Sequence, residues 1–332
     1  MVIVQRVDGD ALVSLEKEHV RLPVRDGALH VTRKRPLGAA RASVLLVHGF
    51  SQNRYSFHLP SRSFTASLVA RGFDTWNLDL RGHGLSYDPA SPAPTFEDHA
   101  FEDVPAAYAK IVEATGAAPF LVAHSLGAAV SFAAAPRLSP KPRGVVSIAG
   151  PMSVGAAALG LKAMVRLSHR YLDLPPYGVP FQLLARILAQ GPTILGFTPP
   201  LLPHIAAPGA TEPDVLAEFL KLSFDRGWLT LAGSMARWGA TGRFDGPQRE
   251  DYAAAWRALD VPLYVCAGAQ DRLIHPDECE PAWRTAKSAD RTFRVFGNRQ
   301  DAARFGHLDL LCGRDAPRLV WREIADWLQT RS

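Results

Sequence analysis

"PFLVAHSLGAAVSFAAA", residues Pro119 to Ala135, decides the reading of this chain. A short apolar run with strand character ends at Ser125, and small residues then follow at helical spacing. The frame Ala123-His124-Ser125-Leu126-Gly127 places small residues two before and two after the serine. A strand that turns sharply into a helix crowds its backbone at those two positions, so small side chains belong there. A serine at such a turn is either an N-cap, spending its hydroxyl on the helix backbone, or a reacting group. The frame alone does not choose between them; its surroundings do.

Upstream, "ASVLLVHGF" is a continuous apolar run ending near Gly49, as expected of a strand buried on both faces. "SFTASLVARG" has helical periodicity closed by Gly72, "FDTWNLDL" reads as a strand, and the glycine-punctuated loop "RGHGLS" follows it. "FEDVPAAYAKIVEATG" is helical with a stop at Gly116, and "RGVVSIAG" is a further strand. Before all of these, "ALVSLEKEHVRLPVRDGALHVTRKR" alternates apolar and polar residues around an Asp26-Gly27 turn signal, the pattern of antiparallel strands. Strands alternating with helices imply βαβ units and a mostly parallel sheet.

From Pro151 to about Ala255 the rhythm stops. This stretch holds amphipathic pieces, "LGLKAMVRLSHRYLDL", "FQLLARILA" and "PDVLAEFLKLSF", between proline-rich breaks. Alternation returns with "VPLYVCAGAQD", a helix, the strand "TFRVFGN" and a final helix, "APRLVWREIADWLQ". The expected architecture is an α/β core formed by residues 1–150 and 256–332, with a helical cap at 151–255 inserted after the sixth strand.

Composition bounds the function. With 332 residues, 47% hydrophobic and 21% charged, the chain reads as an ordinary soluble globular protein. Its net charge of +5 comes from Lys and Arg spread along the whole length, with no basic run, which argues against a nucleic-acid partner. Three cysteines far apart, Cys266, Cys279 and Cys312, suggest neither a metal site nor a disulfide framework. The first twenty residues carry acids where a signal peptide needs an uninterrupted apolar core, and no apolar run reaches membrane-span length. A cytoplasmic protein without stable membrane insertion is the expectation.

Nucleophilic hydrolysis needs a base within reach of the hydroxyl, an acid that orients the base, and donors for the oxyanion. "VPLYVCAGAQDRLIHP" sets Asp271 just past a buried strand, and "RFGHLDLL" sets His307 in a glycine-marked loop before the last helical segment. The loop opened by His48-Gly49 at the end of "LLVHGF" supplies the Phe50 N–H, which pairs with the N–H of Leu126 as the expected oxyanion donors. His48 reads as a structural histidine satisfied by backbone. His83 borders the expected pocket but precedes the serine; His124 and His275 are too constrained by their neighbours to serve as the base. Among acids, Asp301 and Asp309 flank His307 and Asp79 ends an earlier strand; Asp271 is preferred to all three.

The motifs "HGF", "RGHGLS", "AHSLG", "GAQDRLIHP" and "GHLDLL" resemble the landmarks of the α/β-hydrolase superfamily, on both sides of the insertion. "FGHLDLLCGRDAPRLVWREI" is similar to acid-lipase-like members, and "SFTASLVARGFDTWNLDLRGHG" resembles lipases and polyhydroxyalkanoate synthases. The resemblance implies Ser125 as nucleophile, Asp271 as acid and His307 as base, in that chain order. Ser125 stands where the synthases carry cysteine and where dehalogenases and epoxide hydrolases carry aspartate, which favours hydrolysis through an acyl-enzyme. Ala123 departs from the usual glycine.

The insertion would lie over the carboxyl edge of the sheet, where open α/β folds take their ligands. His83, Trp228 and Trp238 are candidate pocket residues, with Leu183, Leu184, Ile187, Phe197, Phe219 and Leu220 as candidate acyl-lining residues. The expected partner is a small apolar ester with a medium to long acyl group, cleaved without metal or organic cofactor. The same triad acting on a thioester, lactone, amide or C–C bond, or a non-catalytic homologue that only binds a ligand, are the alternatives.

Overall fold

The structure is a computed structural model that describes residues 1–155, 181–194 and 202–332. Nine strands form one sheet: β1 (Val2–Asp8), β2 (Ala11–Val24), β3 (Gly27–Arg35), β4 (Ser43–Val47), β5 (Asp74–Asp79), β6 (Phe120–His124), β7 (Val145–Ile148), β8 (Leu263–Gly268) and β9 (Arg291–Phe296). Their spatial order is β1-β2-β3-β5-β4-β6-β7-β8-β9. The first three strands and the β3–β5 pair are antiparallel, and every pairing beyond β5 is parallel. The α/β-hydrolase architecture expected from the sequence is therefore present. Strand β1, ahead of the alternating stretch, makes the strand before the insertion the seventh rather than the sixth. Val2 and Val4 of β1 are exposed, so it adds an edge without adding core.

The central parallel strands β4, β6, β7 and β8 are buried at every position and mostly apolar because both of their faces are covered. Successive residues go to opposite faces: Leu45, Val47, Leu121, Ala123, Leu263 and Val265 enter one core cluster, and Val44, Leu46, Phe120, Val122, Tyr264 and Cys266 the other. Helices α1 (Phe64–Ala70) and α9 (Arg322–Gln329) pack on the second face; α2 (Val104–Thr115), α3 (Leu126–Ala134) and α8 (Pro276–Arg284) pack on the first. Ser63 caps α1 by accepting from the Ala66 N–H, and Gly116 ends α2 at φ +69°, donating to the Val112 carbonyl.

Between β7 and β8 the described residues are helical: α4 (Phe181–Ile194), a turn at Leu202–Ile205, α5 (Pro213–Ser223), α6 (Leu229–Thr241) and α7 (Tyr252–Ala258). The expected helix "LGLKAMVRLSHRYLDL" lies outside the described residues. Helix α7 crosses the expected end of the insertion and packs on the core, with Trp256 against Phe132 and its indole N–H on the Ala282 carbonyl. Among the described residues no helix is long and apolar enough to cross a membrane.

One charge lies buried far from the carboxyl edge of the sheet. Lys34 on β3 is 2% exposed, its Nζ donating to Gln5 Oε1 at 2.6 Å and His58 Nδ1 at 3.1 Å, both neutral. Burial, reinforced by Lys17 and Arg54, pulls its pKa down to about 7. A lysine in the unfolded chain stays protonated up to about pH 10.4. Between those values the unfolded chain holds the extra proton, so stability falls as pH drops from about 10 to 7 and is flat below. Lys34→Met should therefore be more stable than the parent at pH 6, with the advantage shrinking by about 3 kcal/mol at pH 9. Urea denaturation at the two pH values measures this; an advantage independent of pH refutes it.

Candidate active site

Ser125 is the single residue between the end of β6 and the start of α3. Its backbone has φ +54° and ψ −126°, a region side-chain-bearing residues seldom occupy. The Ser125 N–H donates to the Ile148 carbonyl at 2.9 Å, which ties the turn to β7. The turn is so tight that α3 begins against the end of β4. A Cβ on Gly127 would lie 2.3 Å from the His48 carbonyl oxygen and 2.5 Å from that of Val47, and only glycine fits. Gly49 is likewise confined, since a Cβ there would come within 2.9 Å of the Ser125 Cβ. Ala123, two before the serine, is fully buried in β6, paired with Val47 and Ser147, so the sheet accommodates its methyl group. The Ser125 side chain makes no N-cap bond. Its Oγ lies 2.9 Å from His307 Nε2.

His307 sits in the loop after β9, 2% exposed, with Nδ1 2.7 Å from Asp271 Oδ2. Asp271 follows β8, and its other oxygen accepts the N–H groups of Leu273 and Ile274, each at 2.9 Å. A carboxylate only accepts, so Nδ1 carries the proton and Nε2 presents a lone pair to the Ser125 hydroxyl. Two glycines let these loops converge: a Cβ at Gly268 would lie 2.4 Å from the Phe305 carbonyl, and one at Gly306 would lie 2.7 Å from the Ala207 nitrogen. The three residues expected from separate motifs thus meet in one buried chain of hydrogen bonds.

The Leu126 N–H opens α3, and the Phe50 N–H precedes Ser51, itself held at φ +56°. Neither N–H has an acceptor among the described residues. His48 is satisfied by backbone on both sides, donating from Nδ1 to the Gly49 carbonyl and accepting the Leu80 N–H at Nε2, each at 3.0 Å. Burial lowers its pKa to about 4, so it stays neutral.

The rival acids are engaged elsewhere. Asp79 accepts from the Arg54 and Leu85 N–H groups and pairs with the Arg54 guanidinium. Asp301 pairs with Arg294 and accepts the Gly297 N–H. Asp309 accepts from the Ala207 and Gly306 N–H groups at 2.7 and 2.8 Å and from the Thr211 hydroxyl at 2.5 Å, fastening the His307 loop to residues of the insertion.

The pocket candidates divide. His83 donates from Nδ1 to the Arg81 carbonyl and stands edge-on to His48, with ring centroids 5.3 Å apart. Trp228 donates to the Gly82 carbonyl beside it. Trp238 packs on Phe96 and Phe244 and donates to the Asp245 carbonyl; none of these contacts is with Ser125, His307 or Asp271. Phe219 and Leu220 are buried in the second core cluster, whereas Leu183 and Ile187 are exposed. Phe197 and the Leu184 side chain lie outside the described residues.

Three positioning contacts have no signature in the sequence. Besides Asp309, Asp225 accepts the Gly84 N–H and donates its own to the Ser51 carbonyl, each at 2.6 Å. Gln52 Oε1 accepts the Gly49 N–H at 3.1 Å, and Gln52 pairs with Phe224 in an isolated β-bridge. Asp309, Asp225 and the Gln52–Phe224 bridge join segments far apart in the chain, where local pattern carries no information.

No curated protein matches the chain in sequence. Among solved structures, it is similar to a thermophilic esterase from Thermogutta terrifontis, with 19% identity, TM-score 0.64, and 95% of this chain and 99% of that one covered. It is also similar to a monoacylglycerol lipase from Paleococcus ferrophilus, with 19% identity, TM-score 0.61, and 96% and 100% covered. A soluble variant of monoglyceride lipase from Saccharomyces cerevisiae matches with 18% identity, TM-score 0.64, and 95% and 96% covered. At such identities the likeness is one of fold. The model of the alpha/beta hydrolase family matches residues 44–326, a span that contains Ser125, Asp271 and His307, and the chain belongs to that family.

Proposed function

We infer that this hydrolase cleaves carboxylic esters of apolar acyl groups through an acyl-enzyme on Ser125. The observation that carries the reading is the buried chain Ser125–His307–Asp271, joined at 2.9 and 2.7 Å. His307 Nε2 takes the hydroxyl proton as Oγ attacks the ester carbonyl, and Asp271 holds the ring and balances the charge it gains. The N–H groups of Phe50 and Leu126 receive the oxyanion, each contributing roughly 2.7–4 kcal/mol. His307 then returns the proton to the leaving alkoxide, the C–O bond breaks, and the acyl group stays on Ser125. Water, deprotonated by His307, releases the acid and restores the serine.

Residues 151–255 serve in this reading as a cap over the site. Supporting this, residues 223–228 bond to the loops after β4 and β5, and residues 205–211 bond to the His307 loop. Phe181 of α4 stands edge-on to Phe50, with ring centroids 5.9 Å apart, which puts an apolar wall beside an oxyanion donor. The esterase and lipases named above share the fold and agree with the ester as substrate.

A fluorophosphonate probe is expected to label Ser125 alone, and Ser125→Ala to lose both labelling and turnover of p-nitrophenyl esters. A folded protein that takes no label at Ser125 defeats the reading. Across esters from acetate to palmitate, kcat/KM is expected to peak at medium or longer acyl chains; a maximum at acetate removes the apolar acyl pocket. Asp271→Asn should lower kcat roughly 10³–10⁴-fold, because an amide at this position can turn the imidazole to the wrong tautomer. Steady-state kinetics on the folded variant checks this, and a loss under 10-fold would make Asp271 dispensable.

A further inference from the structure

His124 precedes the nucleophile and is fully buried. It lies at the junction of three loops. Its Nδ1 is 3.2 Å from Gln52 Oε1, which accepts the Gly49 N–H in the loop that carries Phe50. Its Nε2 is 3.3 Å from the backbone carbonyl of His307, and the two rings lie 4.7 Å apart between centroids. The ring closes tightly on the glycine loop as well, since a Cβ on Gly49 would lie 3.2 Å from Nδ1. One side chain thus touches the oxyanion loop, the base loop and the serine turn.

Both ring nitrogens face acceptors. Burial, and next the neighbouring His307, hold the imidazole well below its ordinary pKa, so it is neutral and has one proton to give. Gln52 Oε1 already accepts the Gly49 N–H, whereas the His307 carbonyl has no other donor among the described residues. An unpaired buried carbonyl costs more than a second bond to a satisfied one returns. The proton therefore belongs on Nε2.

We propose that His124 is a positioning residue whose Nε2–H holds the His307 backbone so that the His307 imidazole stays in line with Ser125. The proposal rests on the ester-hydrolase reading of that pair. His124 packs against the His307 ring, but among the described residues its hydrogen bonds go to Gln52 and the His307 backbone, not to the Ser125 hydroxyl or the His307 ring nitrogens. It acts by fixing where the base begins, and small displacements of a base cost rate steeply.

Amide side chains separate the two nitrogens, because the Gln Nε2 occupies the place of the His Nε2 and the Asn Nδ2 that of the His Nδ1. His124→Gln, His124→Asn and His124→Phe are compared by kcat, KM for p-nitrophenyl butyrate, the rate of fluorophosphonate labelling at Ser125, and melting temperature. His124→Phe and His124→Asn should lose about 10- to 100-fold in kcat and in labelling rate with KM within about twofold, and His124→Gln should recover to within about threefold of the parent. Recovery by Asn instead of Gln, equal rates in all variants, or losses that follow melting temperature overturn the proposal. Imidazole ¹⁵N spectra of the parent check the tautomer directly, and a proton on Nδ1 of His124 overturns it too. A folded parent that neither labels at Ser125 nor turns over ester defeats the hydrolase reading and this role with it, an outcome distinct from a parent that is active while its variants behave alike.

Discussion

The site depends on a strand becoming a helix within one residue. At Ser125 the chain leaves β6 at φ +54° and enters α3 directly, and the helix starts so near β4 that Gly127 has no room for a side chain. Such a backbone is unfavourable by about 1–3 kcal/mol and persists only where its surroundings over-determine it. Here they do: β6 is hydrogen-bonded on both sides by β4 and β7, the Ser125 N–H is held by Ile148, and the small residues of α3 are buried without exception. Several consequences follow from this one turn. The hydroxyl is withdrawn from capping, the Leu126 N–H is freed at a helix start, and His124 is swung back toward the base.

Asp271 poses the opposite problem, a carboxylate with 1% exposure. Buried charge is tolerated only when every lone pair that needs a partner has one. Two backbone N–H groups of its own loop hold Oδ1, leaving Oδ2 to the imidazole alone. This geometry fixes the tautomer of His307 without further machinery. Asp309, two residues beyond the base, has a different fate: burial raises its pKa while three donors hold it in place, and it acts as a rivet between loops. Both acids lie in glycine-bearing stretches near the base. Their difference is one of partners, which sequence spacing does not carry.

That contrast marks how far the sequence can be read. β4 and β6 to β8 were legible because strands covered on both faces read as nearly continuous apolar runs, and α1 and α2 because a cap or a glycine stop stands at an end. β1 was not, since its Val2 and Val4 face outward and an exposed edge needs no apolar rhythm. The meeting of Ser125, Asp271 and His307 was legible because each follows a strand and reaches one edge of a parallel sheet, whatever the distance along the chain. The pocket was less so. Trp238 is apolar for the sake of an aromatic cluster with Phe96 and Phe244, and composition cannot tell a residue that lines a cavity from one that fills the space behind it.

The least legible feature is how the insertion is fastened. Phe224 and Asp225 pair with Gln52 and Ser51 beside the oxyanion loop, Trp228 holds the loop after β5, and Ala207 and Thr211 hold Asp309 behind the base. Each bond lies close to one of the loops that carry site residues, and none lies within the sheet. The sheet thus sets where the three loops begin, while the insertion sets how firmly two of them are held. Because these are backbone and buried side-chain bonds, loosening the insertion would unseat both the oxyanion loop and the base loop. The seating of the insertion and the placement of His307 beside Ser125 are therefore mechanically linked, because the bonds from Ile205, Ala207 and Thr211 to Leu308 and Asp309 lie within two residues of His307.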